Sequence, residues 1–238
     1  LAIGARIRNE GGSLVQIDPS YRNLALKAAG SVTTTQLGTS GAAANCGVGT
    51  ITLGGCDAPF IAIRCSGAFV ALRKRTQSGA SFTWELITSL PVVTVQYWIF
   101  DFTAVAQMAF VTSKGLRIRN PADNSVVFDS RYKYLRALGM TDPTSTSTPV
   151  TPSARTFAVG LTNPSQSTIV AGGSTTPGFW FYQIQAALYG FRTDAGAVAA
   201  QRIVTRSFTT EGPNPPPYPT GTYGPLTSQA LIVDITNY

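Results

Sequence analysis

Carboxylates are the groups with the most chemistry to offer in this sequence, because it contains no histidine. That absence removes the commonest general base and metal ligand, and with them Ser-His-Asp and Cys-His nucleophilic sites. Eleven Asp and Glu residues remain, and four of the aspartates fall in repeat-related pairs, Asp18 with Asp129 and Asp101 with Asp234. Two carboxyls about 5–9 Å apart in one cleft could hydrolyse a glycoside. An Asp at a turn more commonly accepts bonds from nearby backbone N–H groups, and each of the four reads best that way. Cys46, Cys56 and Cys65 are odd in number and include no Cys-x-x-Cys pair. They fit either one bridge with a free thiol or three reduced thiols, and zinc would need a further, non-His ligand. No phosphate-binding glycine loop, dinucleotide fingerprint or calcium-loop spacing occurs. The expectation is a protein without catalytic, metal or cofactor-binding residues, needing no cofactor, and not an enzyme.

Binding chemistry is better represented. Phe179, Trp180, Phe181 and Tyr182 are consecutive, so on a strand they alternate between the two sheet faces. Either the strand is buried on both sides or Trp180 and Tyr182 form an exposed patch for a partner. The same choice arises at Tyr97, Trp98, Ile99 and Phe100. The stretch 212–224 holds Pro213, Pro215, Pro216, Pro217 and Pro219 with Tyr218 and Tyr223. Proline at that density favours a stiff exposed loop, and loops on a rigid scaffold commonly carry binding. The candidate partner-binding residues are therefore Trp180, Tyr182, Pro216, Tyr218 and Tyr223.

The elements that must position these groups are strands. Residues 4–28 and 115–139 align without a gap, with nine identities in 25 positions. Arg6, Asn9, Asp18 and Tyr21 recur as Arg117, Asn120, Asp129 and Tyr132, and these read as structural residues of a repeat. The endings match as well: Trp98–Thr103 and Leu231–Thr236 share three apolar residues, an Asp, an apolar residue and a Thr. Arg6-Ile7-Arg8 and Arg117-Ile118-Arg119 alternate with period two, and turn sequences of equal length follow each, so each copy opens on a β-hairpin. An Asx turn at Asp18 and Asp129, with a packed ring at Tyr21 and Tyr132, is expected to steer the chain onward. Further strands are expected at 30–35, 59–65, 67–74, 81–88, 92–103, 154–161, 178–191, 197–208 and 230–236. Residues 38–55 and 141–153 read as loops, and no convincing amphipathic helix is visible. The fold class expected is all-β, as two tandem β-sandwich-like domains related by internal duplication, at 1–110 and 111–238.

Composition agrees with such a protein. Only 12% of residues are charged, about half the usual share, and Ser, Thr, Gly, Asn and Gln take their place. The net charge of +7 permits attraction to nucleic acid, anionic glycans or acidic proteins. Its densest runs are Arg73-Lys74-Arg75 and Arg131-Tyr132-Lys133, which read as solvated strand ends. No basic stripe interleaves with stacking aromatics, so nucleic-acid binding is not expected. No apolar run of about 18 residues and no signal-peptide pattern occurs, so no membrane span is expected. Leu1 is an unusual first residue, and an initiator Met or a longer N-terminus is expected ahead of it.

The duplicated hairpin, Gly4-Ala5-Arg6-Ile7-Arg8-Asn9 followed by Val15-Gln16-Ile17-Asp18 and Tyr21, resembles a pattern near the start of small tail-tip and tail-fibre-associated proteins of long-tailed bacteriophages. It is repeated less fully at 115–135, and the resemblance covers about a quarter of the chain. It implies a virion structural protein of the distal tail (baseplate, tail tip or fibre base), assembled in the bacterial cytoplasm and acting by packing against other tail proteins. A symmetric multimeric assembly is expected, since tail parts are ring-like. The alternative is a receptor-binding adhesin for host attachment, recognising a surface glycan or pilus. No catalytic residues come with the resemblance.

Overall fold

The computed structural model describes residues 5–8, 14–17, 23–107, 114–120, 122–141, 147–150, 155–161, 166–176, 179–213, 221–223 and 229–238; within these, the backbone alone is described at 5–8, 14–17, 166, 172–176, 179–182, 211–213 and 221–223. In chain order the first half forms β1 (Ala5–Arg8), β2 (Leu14–Ile17), β3 (Leu24–Thr33), β4 (Thr35–Gln36), a one-turn helix α1 (Gly41–Ala44), β5 (Gly47–Leu53), β6 (Phe60–Arg64), β7 (Val70–Ser78), β8 (Ser81–Thr88) and β9 (Thr94–Phe102). The second half forms β10 (Arg117–Arg119), β11 (Val126–Asp129), β12 (Ala137–Thr141), β13 (Thr148–Pro149), β14 (Phe157–Leu161), β15 (Gln166–Thr176), β16 (Phe179–Asp194), β17 (Ala197–Pro213), β18 (Gly221–Tyr223) and β19 (Ala230–Asp234). Among the described residues the fold is all-β apart from α1.

Both opening hairpins form. β1 pairs with β2 and β10 with β11, each as a two-stranded antiparallel sheet. Their registers differ. Arg6 stands opposite Gln16, whereas the aligned Arg117 stands opposite Asp129, two residues further along, and a bulge between Ile118 and Arg119 takes up one of the two.

The remaining strands build two larger sheets, ordered β12-β19-β14-β6-β9-β3 and β13-β17-β16-β7-β8-β5-β4, with β15 and β18 added beside β16. Both take strands from either side of the expected boundary after residue 110. The central pair of the first is β6 with β14, and β7 meets β16 at Val70 and Phe191 in the second. One hydrophobic cluster joins them, with Ile61, Ile63, Val159 and Ile232 from the first sheet and Leu72, Trp84, Phe191 and Val198 from the second. The halves therefore share a core.

Within the six-stranded sheet the ladders of the two halves repeat. The shift that aligns the hairpins carries Leu26, Ala28 and Ala29 onto Ala137, Gly139 and Met140, and the shift that aligns the endings carries Phe100, Ile99 and Trp98 onto Val233, Ile232 and Leu231. The pairs Leu26↔Phe100, Ala28↔Ile99 and Ala29↔Trp98 recur as Ala137↔Val233, Gly139↔Ile232 and Met140↔Leu231. Even the bulge recurs, at Lys27 and at Leu138. On the other side of the closing strands, Ile61↔Ile99 recurs as Val159↔Ile232. The ladder joining the halves, Ile63↔Val159, Ala62↔Gly160 and Ile61↔Leu161, is unchanged when its two strands are exchanged. A local two-fold thus passes between Ala62 and Gly160.

That sheet curls. Residues 133–135 bond to β3 (Leu26 N–H to Lys133 O, Leu135 N–H to Leu24 O, and the bridge Ala25↔Tyr134), and Asp234 N–H then donates to Arg136 O as the same segment runs into β12 beside β19. One bridge, not a ladder, joins the sheet's two edges. The curl encloses a second apolar cluster of Trp98, Phe100, Ala62, Ala158, Val233 and Ile235. β9 is consequently buried on both faces, with Tyr97 and Ile99 toward the shared core and Trp98 and Phe100 away from it.

Residues 38–55, expected as loop, contain α1 and the seven-residue β5, which pairs with β8 over its whole length. Its glycines are packing requirements. A Cβ on Gly47 would lie 2.6 Å from Thr34 Oγ1 and Thr88 Oγ1, and one on Gly49 would press on Val32.

Candidate functional site

Asp101, Asp129 and Asp234 are all buried, with at most 1% of each exposed; Asp18 lies outside the described residues. A buried carboxylate must be bonded or neutralised. Asp101 accepts the backbone N–H groups of Asp57, Ala58 and Phe102 at 2.8–2.9 Å. Its counterpart Asp234 accepts Thr236 N–H at 2.9 Å and two guanidinium groups, Arg155 and Arg136. The shift that aligns β6 with β14 carries Asp57 onto Arg155. One half therefore answers the charge with amides and the other with a side chain at the same place. Burial pushes the Asp234 carboxyl up, but the bonds from Thr236 and the two arginines outweigh it and hold the group below the ordinary carboxylate range.

Asp129 anchors the second hairpin. It accepts Arg117 Nε at 2.7 Å, both Nε and Nη2 of Arg131, and the Arg131 N–H, which is the Asx turn expected there. The packed ring, expected from Tyr132, comes chiefly from Tyr134, stacked on Phe128 at 5.0 Å between centroids. Tyr132 lies tilted against Tyr134 at 6.3 Å. Asp129 N–H donates to Tyr134 Oη, and burial pushes that phenol up to about 12. Asn120 shapes the hairpin turn, its Oδ1 accepting Ala122 N–H while Asn124 takes a left-handed φ of 59°. The structure thus brings Arg117, Asn120, Asp129 and Tyr132 to one hairpin. Arg6 lies on β1, while Asn9 and Tyr21 lie outside the described residues. Tyr134 and Arg155 carry as much of this bonding, as does Arg131, which is expected as a solvated strand end but is mostly buried against Asp129. Arg131 carried a signal, two residues past a turn Asp; Arg155 carried none.

A polar cavity of about 500 Å3 lies between the end of β9 and this hairpin, lined by Asp57, Thr103, Arg117, Arg119, Asp123 and Tyr132. Thr103 Oγ1 donates across it to Val126 O. Asp129, its most buried carboxylate, is already committed to two arginines. Among the described residues no three Cys, Asp or Glu side chains converge as a metal site. Cys46, Cys56 and Cys65 are free and buried, and burial raises the Cys46 thiol.

The binding candidates fall in the β15–β18 region. Trp180 stands opposite Gly212, Tyr182 opposite both Gly172 and Thr210, and Tyr223 opposite Thr168. Pro216 and Tyr218 lie outside the described residues. β16 and β17 pair over their full lengths, with a register shift between Ala186 and Ala187. Ala187, Leu188, Phe191, Val198 and Ile203 are buried, whereas Arg206, Phe208, Thr209 and Thr210, on the far side of that shift, are exposed. Arg206 lies 5.4 Å over the Phe208 ring.

The other candidate surface is cationic. A groove of about 720 Å3 opens where β7 and β16 separate, lined by Arg73, Lys74, Glu85, Ala186, Leu188 and Arg206. Arg73 pairs with Glu85 at 3.0 Å. Arg75 lies 4.9 Å over the Phe82 ring.

No protein family, curated protein or solved structure matches the chain. Among the described residues no helix is long and apolar enough to cross a membrane.

Proposed function

We propose that this is a virion structural protein of the distal tail of a long-tailed bacteriophage, at the baseplate, tail tip or fibre base. It works by packing against neighbouring tail proteins in a symmetric assembly, not by catalysis. The observation that carries the reading is the motif Gly-x-Arg-Ile-x-Asn, turn, Val, Asp and Tyr, present twice and folded both times as a hairpin. The commitment of Asp101, Asp129 and Asp234 to buried bonds supports a binding role, since three or four donors of the chain itself engage each carboxylate. In this reading the chain consists of two tandem β-sandwich-like units made by duplication and fused edge to edge. The recurring register and bulge support it.

Immunogold labelling of phage particles that carry the gene tests the proposal. Gold confined to the distal tail is the expected result. Unlabelled virions, with the protein present in infected-cell lysate, would overturn it.

One observation favours a second reading, an adhesin for a host glycan or pilus. The β16–β17 hairpin continues past the shared core with Phe208 45% exposed, and the proline-rich stretch adjoins its end. Saturable binding of the purified protein to host cells would select this reading over a purely structural one.

A further inference from the structure

The two halves differ most where strands have been added. In each half a hairpin, β7–β8 or β16–β17, follows the central strand of the six-stranded sheet and precedes its closing strand. The strand pairing between the two hairpins runs through β7 and β16 and, among the described residues, has a single register pair, Val70 with Phe191. Beyond that point the inserted strand β15 takes the free edge of β16, antiparallel, from Leu188 to Phe179. Among the described residues no such strand takes the matching edge of β7. Its ladders engage β8 from Val70 to Ser78 and β16 only at Val70, and every residue from Arg73 to Ser78 is exposed. The second half thus fills with its own chain an edge whose counterpart in the first half no described strand pairs.

The chemistry of that edge selects among occupants. Arg73, Lys74 and Arg75 lie on it, and the cleft beside it adds Arg206. Among the described residues Glu85 is the one carboxylate lining the cleft, and Arg73 already holds it. The Lys74 side chain makes no hydrogen bond or ion pair to any described residue. A second copy of the chain pairing through the same edge would set Arg73–Arg75 against itself, which is unfavourable. Cations on an edge also discourage indiscriminate strand addition, so a strand that binds here must answer them.

We propose that the β7 edge from Leu72 to Ser78 accepts an extended, acidic polypeptide strand from another protein, paired antiparallel as β15 is with β16. Main-chain bonds supply the affinity and carboxylates against Lys74 and Arg73 supply the selection. The inference rests on the strand pairings and the charge, and holds whether or not the partner is a tail protein.

The test uses the full chain and a synthetic peptide of the β15 sequence with Ser167→Glu, Ile169→Glu and Ala171→Glu, against the same peptide with Lys at those three positions. The acidic peptide should bind saturably and at least about tenfold tighter than the lysine peptide. Its affinity should fall several-fold between about 50 and about 300 mM salt. Lys74→Glu should weaken it about fivefold or more without moving the thermal transition. Hydrogen exchange should show new protection at 72–78 on binding. Equal binding of both peptides, no binding of either, or protection confined to other strands would each overturn the proposal and leave the cations as guards of the edge only.

Discussion

At the scale of residues, the aspartates show how one position can be solved twice. Asp101 and Asp234 close equivalent strands, and both need several donors because they are out of water. Removing Asp101 would orphan the N–H groups of Asp57, Ala58 and Phe102 together. Asp101→Ala should therefore lower stability by about 3 kcal/mol or more, read by chemical denaturation; a loss under about 1 kcal/mol would mean that water replaces the carboxylate. Asp234 makes a different demand, because its partners are charged. Its carboxyl titrates below the unfolded value of 3.8, so its stabilisation is present above that pH and is lost as pH falls through the folded value. The stability gap between the wild type and Asp234→Asn should be widest near neutrality and close below about pH 4. A gap that persists unchanged to about pH 2 would show that the ion pairs are not its source. From the sequence, the aspartates were legible as backbone-bonded turn residues. The reading is right about the backbone at Asp101 but not about the turn, because Asp101 lies in β9 and two of its donors, Asp57 and Ala58, are 44 and 43 residues away. It did not extend to Arg155, which is 79 residues from Asp234 in the chain.

At the scale of elements, alternation and turn chemistry went a long way. The hairpins at 5–17 and 117–129 follow from a period of two around Gly, Asn, Asp and Pro turns, and β8, β9 and β19 from runs of Val, Ile, Phe, Tyr and Trp. β5 and β15 were not legible for a shared reason. Glycine in Gly47-Val48-Gly49 and Gly172-Gly173 reads as loop chemistry when only the local chain is in view. At Gly47 and Gly49 the cause is instead the closeness of Thr34, Thr88 and Val32, residues distant in sequence or brought near by sheet pairing. Gly160 is the sharpest such case. It sits on the local two-fold opposite Ala62, and the Phe60 ring covers it so closely that a Cβ would strike Cζ. Gly160→Ala should force that ring aside and cost about 1–3 kcal/mol, while Phe60→Leu in the same chain should recover part of the loss. No loss on Gly160→Ala would show that the ring moves freely.

At the scale of the whole molecule, the recurring hairpin and closing motifs could be read directly, but how the halves join could not. A strand's pattern reports which faces are buried and not which edge it pairs with, and both junctions, β6 with β14 and β7 with β16, are edge pairings. Their consequence is a body in which each half supplies strands to both sheets and side chains to one core. The separate domains expected at 1–110 and 111–238 would each expose the β6 or β14 edge and half of that core. The most direct measurement is on residues 1–110 made alone, by thermal unfolding and sedimentation. This fragment should give no folded monomer: either no cooperative transition, or self-association through β6, whose two-fold ladder with β14 a second copy could imitate. Residues 111–238 added back should restore a cooperative transition in a one-to-one complex. A monomeric 1–110 that unfolds cooperatively by itself would contradict the shared core and return the molecule to two independent domains.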